Sequence, residues 1–325
     1  MTIKRRTFAM LAGAAALASP AWLHAQLQPQ RIIRLGVLGD APSSSREFFF
    51  QMMKGRGWEV GRNLSIEQRW ALGDLARLPA LARELVEARV DVIFAHGDLA
   101  AAAAARAGPT TPVVMHGLAP VETGLAQSLA RPGGNVTGVT YEAGAEAGKK
   151  IDLLRALRPS LQRIGIVHLD SHPAAQVYYE RWKAAADRQG ITMVKLPGPV
   201  VLADIDVTLA AAAREGVQAI EFAVNPALIG AGWQKIGAWA AQHKVLTSAG
   251  TGHSGEAMLA FGPNLLHFYT LVLDQLDRVL RGAKPAELPI QQPTLFDTVI
   301  HKRQILAIGL VVPAVVLLQA TEVIE

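Results

Sequence analysis

Twice along this chain, short apolar runs alternate with stretches of helical spacing, and each run stops at a Gly, Asp, His or Pro. Ile32 to Leu38 is apolar but for Arg34 and ends at Gly39-Asp40-Ala41-Pro42. Val90 to Ala95 ends at His96-Gly97-Asp98, and Pro112 to Met115 ends at His116-Gly117. Such continuous runs are typical of strands covered on both faces. Leu64 to Trp70 reads as a further strand. Between the strands, Ser43-Ser44-Ser45 offers caps for a helix reaching Lys54, Leu75 to Ala88 carries Leu78, Leu81, Leu85 and Val86 on one side, and Leu99 to Ala107 is alanine-rich. Arg131-Pro132-Gly133-Gly134-Asn135 is the densest turn cluster, and after it the pattern restarts. Helices are expected over Ala147–Leu157, Ala174–Arg188, Ile205–Arg214 and Leu228–Gln242, and strands over Arg163–Val167, Thr192–Leu196, Ala219–Ala223 and Val245–Ser248. Gly255 to Phe261 reads as a return strand, and Leu265 to Arg281 as a strongly amphipathic helix. Alternating strand and helix means parallel sheets with helices on both faces. The fold class is α/β, with two Rossmann-like parallel-sheet lobes. Right-handed crossovers gather the strand C-termini of each sheet on one edge, where ligands bind in open sheets.

The first 25 residues have the layout of an export signal. Lys4, Arg5 and Arg6 precede an apolar stretch from Phe8 to Ala18, Ser19-Pro20 breaks it, and Leu23-His24-Ala25 ends on the small residue that a signal peptidase requires. Arg5-Arg6-Thr7-Phe8 also fits a twin-arginine signal. Periplasmic location argues against chemistry that needs ATP or NADH. The formal charge of +5 includes those three basic residues, so removing them leaves +2 on the mature chain. No basic stripe with interleaved aromatics points to nucleic acid. Cysteine is absent, which excludes disulfides, thiol catalysis and a lipid-modified N-terminal cysteine. Ile305 to Leu318 is apolar throughout but is shorter than the ~20 residues of a spanning helix and contains Pro313, so two buried pieces around a proline turn are expected.

Few motifs carry chemistry. Gly250-Thr251-Gly252-His253-Ser254-Gly255 spells GxGxxG, but the strand-like Ala257 to Phe261 follows it instead of a helix, which argues for a loop at the cleft edge. Gly144 to Lys150 is one residue short of a phosphate loop and has no Ser or Thr after Lys149. Ser248 and Ser254 lie on no GxSxG elbow, so no nucleophile is set up. Glu142 and Glu146 fit a solvated helix start. His96, His116, His168 and His172 fall at or just past strand ends and His253 lies in the GxGxxG loop. Topology would bring several of them to one crevice, where imidazoles contact an organic ligand in preference to a metal.

A set of longer matches identifies a resemblance. Ile33-Arg34-Leu35-Gly36-Val37-Leu38, Leu78-Pro79-Ala80-Leu81-Ala82, Val90-Asp91-Val92-Ile93, Leu129-Ala130-Arg131-Pro132-Gly133-Gly134-Asn135-Val136-Thr137-Gly138, Phe261-Gly262-Pro263-Asn264 and Gly282-Ala283-Lys284-Pro285-Ala286-Glu287-Leu288-Pro289 resemble the ABC-transporter substrate-binding family of the tryptophan and tyrosine uptake type. The resemblance runs from about Arg31 to Glu325 and implies the type 1 periplasmic binding protein fold, a clamshell whose lobes are joined by a three-segment hinge. It places the crossings near Asn135–Tyr141, Gly255–Phe261 and Leu288–Leu295. On that basis lobe 1 comprises 31–135 plus 256–287, and lobe 2 comprises 136–255 plus 288–325. The implied function is a periplasmic solute-binding protein, monomeric and without cofactor or metal, that closes on a small organic ligand and presents it to an ABC permease in the inner membrane. A sensor of the same shape and an α/β hydrolase are the other readings. The chain departs from the family at Ala119-Pro120, Leu169-Asp170-Ser171-His172, Asn225-Pro226 and Phe261, so the ligand stays open among amino acids and aromatic or carboxylate compounds. Backbone N–H groups near Ser43, Ser44 and Gly97 are expected to hold an anionic end. His116, Asp170, Asn225 and Thr251 would orient the ligand, Tyr141 or Phe261 would wall it, and Asp40, His96 and His168 stand at the same strand edges.

Overall fold

In a computed structural model of the chain, residues 31–325 are described except 41, 43–45, 142–143, 171, 200–201, 223–230 and 254. The export signal over 1–25 lies outside the described residues, as do Ser43, Ser44, Ser171, Asn225 and Ser254.

Strands β1 (Ile33–Gly39), β2 (Leu64–Trp70), β3 (Val92–His96), β4 (Val113–Gly117) and β5 (Val136–Thr140) form one sheet in the order β2-β1-β3-β4-β5. Every pair in it is parallel. Helix α1 (Arg46–Gly55) follows β1. Helix α2 (Leu78–Glu87) turns Leu78, Leu81, Ala82 and Leu85 inward, at the i, i+3, i+4, i+7 spacing of one helical face. Helix α3 (Asp98–Ala107) owes its stability to alanine, which loses no side-chain entropy, and buries Ala100, Ala101, Ala103 and Ala104. β5 depends on Gly138. Its φ is 145°, and a Cβ there would stand 1.9 Å from the Met115 carbonyl oxygen of β4.

The second sheet has seven strands in the order β12-β11-β10-β9-β8-β6-β7. It is built from β6 (Arg163–His168), β7 (Thr192–Pro197), β8 (Ala219–Phe222), β9 (Leu246–Ala249), β10 (Leu259–Pro263), β11 (Phe296–His301) and β12 (Glu322–Ile324). Only β10 and β11 pair antiparallel. Helices α4 (Ala147–Leu157), α5 (Pro173–Asp187), α6 (Ile205–Arg214) and α7 (Ala231–His243) connect the parallel strands. Helix α8 (Leu265–Leu280) returns to the first sheet. Asn264 caps it, its Oδ1 accepting from the His267 N–H at 2.9 Å. Its buried stripe of Phe268, Val272, Leu273, Leu276 and Val279 joins Leu35, Val37 and Phe94 of the first sheet in one apolar cluster.

Two expected boundaries move. The second lobe was expected to begin at 136, yet Val136–Thr140 pairs with β4 in the first sheet. Residues 256–287 were expected in the first lobe, yet Leu259–Pro263 pairs with β9 and β11 in the second. A turn cluster marks where the chain reverses, but not which sheet takes the strand that follows. The chain passes between sheets after Thr140 and again after Pro263. Residues 288–291 still run along β5: Leu288 O accepts from Thr137 Oγ1 at 2.8 Å, and Gln291 N donates to Gly138 O at 2.9 Å. The third passage leads from there to Phe296 in β11.

The apolar stretch 305–318 is also only partly as expected. Helices α9 (Lys302–Ala307) and α10 (Ala314–Leu317) flank the turn at Pro313 and bury Ile305, Ile308, Val312 and Val316. Leu306, Val311, Val315 and Leu318 remain exposed, because helices this short press a single stripe against the sheet. Among the described residues no helix is long and apolar enough to cross a membrane.

The two sheets touch beyond their connections. Helix α3 lies against α5, Ala119 is part of the second sheet's apolar cluster, and Arg181 of α5 pairs with Glu122 at 2.5 Å.

Candidate functional site

A cavity of about 230 Å³ opens where the C-terminal ends of both sheets meet. From the first sheet it is walled by His116 at the end of β4, Leu118, Tyr141 just past β5, and Leu265, Phe268 and Tyr269 of α8. From the second it is walled by Glu146, Lys150, Tyr178, Phe222 at the end of β8, Gly250 to Gly252 just past β9, and Pro263. This is the edge at which open parallel sheets bind ligands. The volume equals about eight waters at ~30 Å³ each, enough for a small organic molecule.

The first-sheet wall is an aromatic cluster. Phe268 sits edge-to-face with His116, Tyr141 and Tyr269, with ring centroids 5.7 Å apart in each case. His96 stands 4.9 Å behind His116. Burial pulls His116 down to about 4, and burial together with His116 lowers His96, so both rings are neutral at physiological pH. Burial raises the Tyr141 hydroxyl, with Asp98 and then Glu146 adding to the effect.

The second-sheet wall holds a buried ionic network. Lys150 and Glu221 are both fully buried, and Lys150 Nζ donates to Glu221 Oε1 at 2.6 Å. The Tyr178 hydroxyl donates to the same oxygen at 2.7 Å. Glu221 Oε2 has no hydrogen-bond partner. The Lys150 ammonium also lies 5.7 Å from the centre of the Trp182 ring. Glu146 is 3.9 Å from the ammonium, and burial raises its carboxyl despite the attraction of Lys150. Glu146 is thus not on a solvated helix start as expected. The first turn of α4 points into the space between the sheets, and its carboxyl side chain is only 12% exposed.

Of the residues singled out from sequence, His116, Tyr141 and Thr251 line the cavity. Thr251 is buried, and its hydroxyl donates to Pro263 O at 2.7 Å. His96 supports His116 from behind. Gly97 has φ 91° and starts α3, and its N–H donates to His116 O at 2.9 Å, so it is a turn residue. No side chain caps the start of α3; the buried Asp98 carboxylate in its first turn accepts instead from Leu118 N at 2.9 Å and Ala119 N at 3.2 Å, and its negative charge there disfavours an anion. Asp40 holds the loop after β2, with Oδ1 accepting from Gly73 N at 2.8 Å. His168 and Asp170 pair at 2.8 Å beside Tyr179, away from the cavity wall, and the Asp170 carboxyl is 97% exposed. Phe261 stacks on Phe296 against the second-sheet core. Ser43, Ser44 and Asn225 fall outside the described residues. The histidines do not gather as expected. His96 and His116 meet, whereas His168 belongs to the other sheet, and no three His, Asp or Glu among the described residues are placed to hold a metal.

Lys150, Tyr178, Phe222, Phe268 and Tyr269 are not among the site residues expected from sequence, and Glu146 is expected there only as part of a solvated helix start. Two signals were present. Lys150 shares the buried face of α4 with Ala147, Ile151 and Leu154, and its partner Glu221 interrupts the apolar run of β8. A lone charge at a core position of each of two neighbouring elements marks a buried pair.

The family model for ABC transporter substrate binding proteins matches residues 33–324. A tyrosine-binding protein of Clostridioides difficile (strain R20291) is 27% identical over 169 residues, which is 51% of this chain and 48% of that protein, so the match spans about half of its length. A conserved domain protein of Vibrio cholerae superposes with a TM-score of 0.83 at 24% identity, covering 90% of this chain and all of that one. A Streptococcus pneumoniae domain solved with L-Trp gives 0.81 at 23% identity, over 90% of this chain and all of that one. The fold is that of type 1 periplasmic binding proteins, and such proteins bind solutes without transforming them. The chain belongs to the ABC transporter substrate binding protein family.

Proposed function

We propose that the cavity between the sheets holds a small organic ligand and that the two lobes close on it by bending at the three passages after Thr140, Pro263 and Gln291. The carrying observation is that both sheets present their strand ends, and one aromatic and one ionic wall, to a single cavity of about 230 Å³. The lobe division that follows is 33–140 plus 265–291 against 144–263 plus 296–324. On this reading the closed form, stabilised because the ligand binds it better than the open one, is what an ABC permease recognises. The N-terminal 25 residues would direct export to the periplasm. The tyrosine-binding relative and the L-Trp complex favour a ligand with an aromatic body, as do Phe222, Phe268 and Tyr269.

Calorimetric titration against amino acids, aromatic amines and aromatic acids tests this reading, with melting temperature as the second readout. One equivalent should bind, and ligand at 100 times Kd should add about 2.7 kcal/mol of stability. Leu265 is half-exposed at the cavity mouth, so Leu265→Trp fills the opening without disturbing the core. It should abolish binding and leave the fold intact. Undiminished binding in that variant would place the ligand elsewhere.

A further inference from the structure

We infer that the cavity selects a protonated amine carried on an aromatic body, that Glu146 receives the amine, and that a ligand carboxylate contributes little. The inference rests on the proposed binding role and adds the chemical class of the ligand.

The first argument is the balance of charge. Among the described residues Lys150 is the only cationic side chain lining the cavity, and its ammonium pairs with Glu221 at 2.6 Å with both groups fully buried. The charge of that ammonium is already balanced by Glu221, so a ligand carboxylate reaching its remaining N–H donors would meet little net positive charge. The carboxylate lining the cavity is Glu146, whose side chain is 12% exposed. Lys150 at 3.9 Å is beyond hydrogen-bonding distance from Glu146, whose carboxylate accepts from its own backbone N–H, so its remaining acceptor positions stay open to a cation in the cavity.

The second argument concerns places where an anion could otherwise sit. Helix starts bind anions through free N–H groups. Here the α3 start carries the Asp98 carboxylate, His172 Nδ1 accepts from Ala174 N at the α5 start, and Asn264 Oδ1 accepts from His267 N at the α8 start. Side chains cap the α5 and α8 starts, and at the uncapped starts of α3 and α4 the Asp98 and Glu146 carboxylates set a negative charge against an anion.

The third argument is the aromatic wall. Tyr141, Phe268 and Tyr269 lie opposite the ionic network with ring centroids 5.7 Å apart. A cation within about 6 Å of such faces is attracted to them, and more strongly where water is excluded. The same rings pack against an aromatic body.

Three probes share one aromatic body: 2-phenylethylamine, phenylalanine and 3-phenylpropionate. Titrated into the mature protein at pH 7.5, the amine and the amino acid should bind with similar affinity, and the acid about 100-fold more weakly. Glu146→Gln keeps the shape and removes the charge, and should weaken the amine about 10- to 100-fold. Its folding is checked by circular dichroism, and the comparison of acid with amine on the unaltered protein needs no variant at all. Acid binding as tight as the amine, unchanged amine affinity in folded Glu146→Gln, or failure of all three probes would each overturn the inference. None of these touches the proposed binding role, which stands or falls on the broad titration and on Leu265→Trp.

Discussion

Replacing Lys150 by methionine tests the most heavily buried polar feature of the molecule. The side chain keeps its length and packing against Trp182 but loses the ammonium that faces Glu221 at 2.6 Å. Glu221 is then left at zero exposure, with Tyr178 as its one hydrogen-bond donor and Oε2 already without a partner. Breaking a buried pair by removing one member costs about 3–5 kcal/mol, because the charge left behind is not compensated. For a chain of 325 residues, at about 2 °C per kcal/mol, the melting temperature should fall by roughly 6–10 °C. The double variant Lys150→Met with Glu221→Leu removes both charges and should recover most of the loss, as buried pairs exchange for apolar groups at little net cost. Differential scanning calorimetry of the two variants measures this directly. A single variant within 1 °C of the parent, or a double variant no more stable than the single, would refute the reasoning.

Other expectations follow from the same wall. Burial raises Glu146 above its ordinary 4.5, so the folded protein holds a proton that the unfolded chain has lost, and this stability falls as pH rises above 4.5. Glu146→Gln should accordingly gain stability over the parent at pH 8 and none at pH 4, read by thermal denaturation across pH. His116 shows the opposite case. Its folded value of about 4 lies below the free value of 6.5, so its contribution is present above pH 6.5 and is lost as pH falls toward 4. The gap corresponds to at most about 3 kcal/mol, less because the ring lines a cavity, and His116→Gln should flatten that acid limb in part while His96 retains the rest. Gly138→Ala drives a Cβ to 1.9 Å from the Met115 carbonyl and should abolish soluble folded protein or lower its melting temperature by more than 5 °C at roughly 2 °C per kcal/mol, as expression and melting would show.

Much of the architecture was legible because burial on both faces leaves a continuous apolar run. Ile33–Gly39 and Ala147–Leu157 emerge within a residue of their expected limits. What local pattern cannot carry is partner choice: Val136–Thr140 looks like a crossing strand until its pairing with β4 is known. The site was legible only where chemistry coincides with a strand end, as at His116, Tyr141 and Thr251. Phe268 and Tyr269 escaped notice because a cavity-lining aromatic on an amphipathic helix has the same spacing as a core residue. Asp170 and Phe261 misled in the other direction. Both stand at the right edge, yet one carboxyl is almost fully solvated and the other ring is spent on Phe296.

The absence of cysteine allows a clean test of closure. Arg106 at the end of α3 and Ala184 on α5 are exposed, and their helices follow strands of different sheets. Converted to Cys and spin-labelled, they report one distance between the lobes by pulsed electron resonance. A saturating ligand found by calorimetry should collapse the distribution to a single shorter distance. An identical distribution with and without bound ligand would contradict an account in which two lobes close on a solute between them.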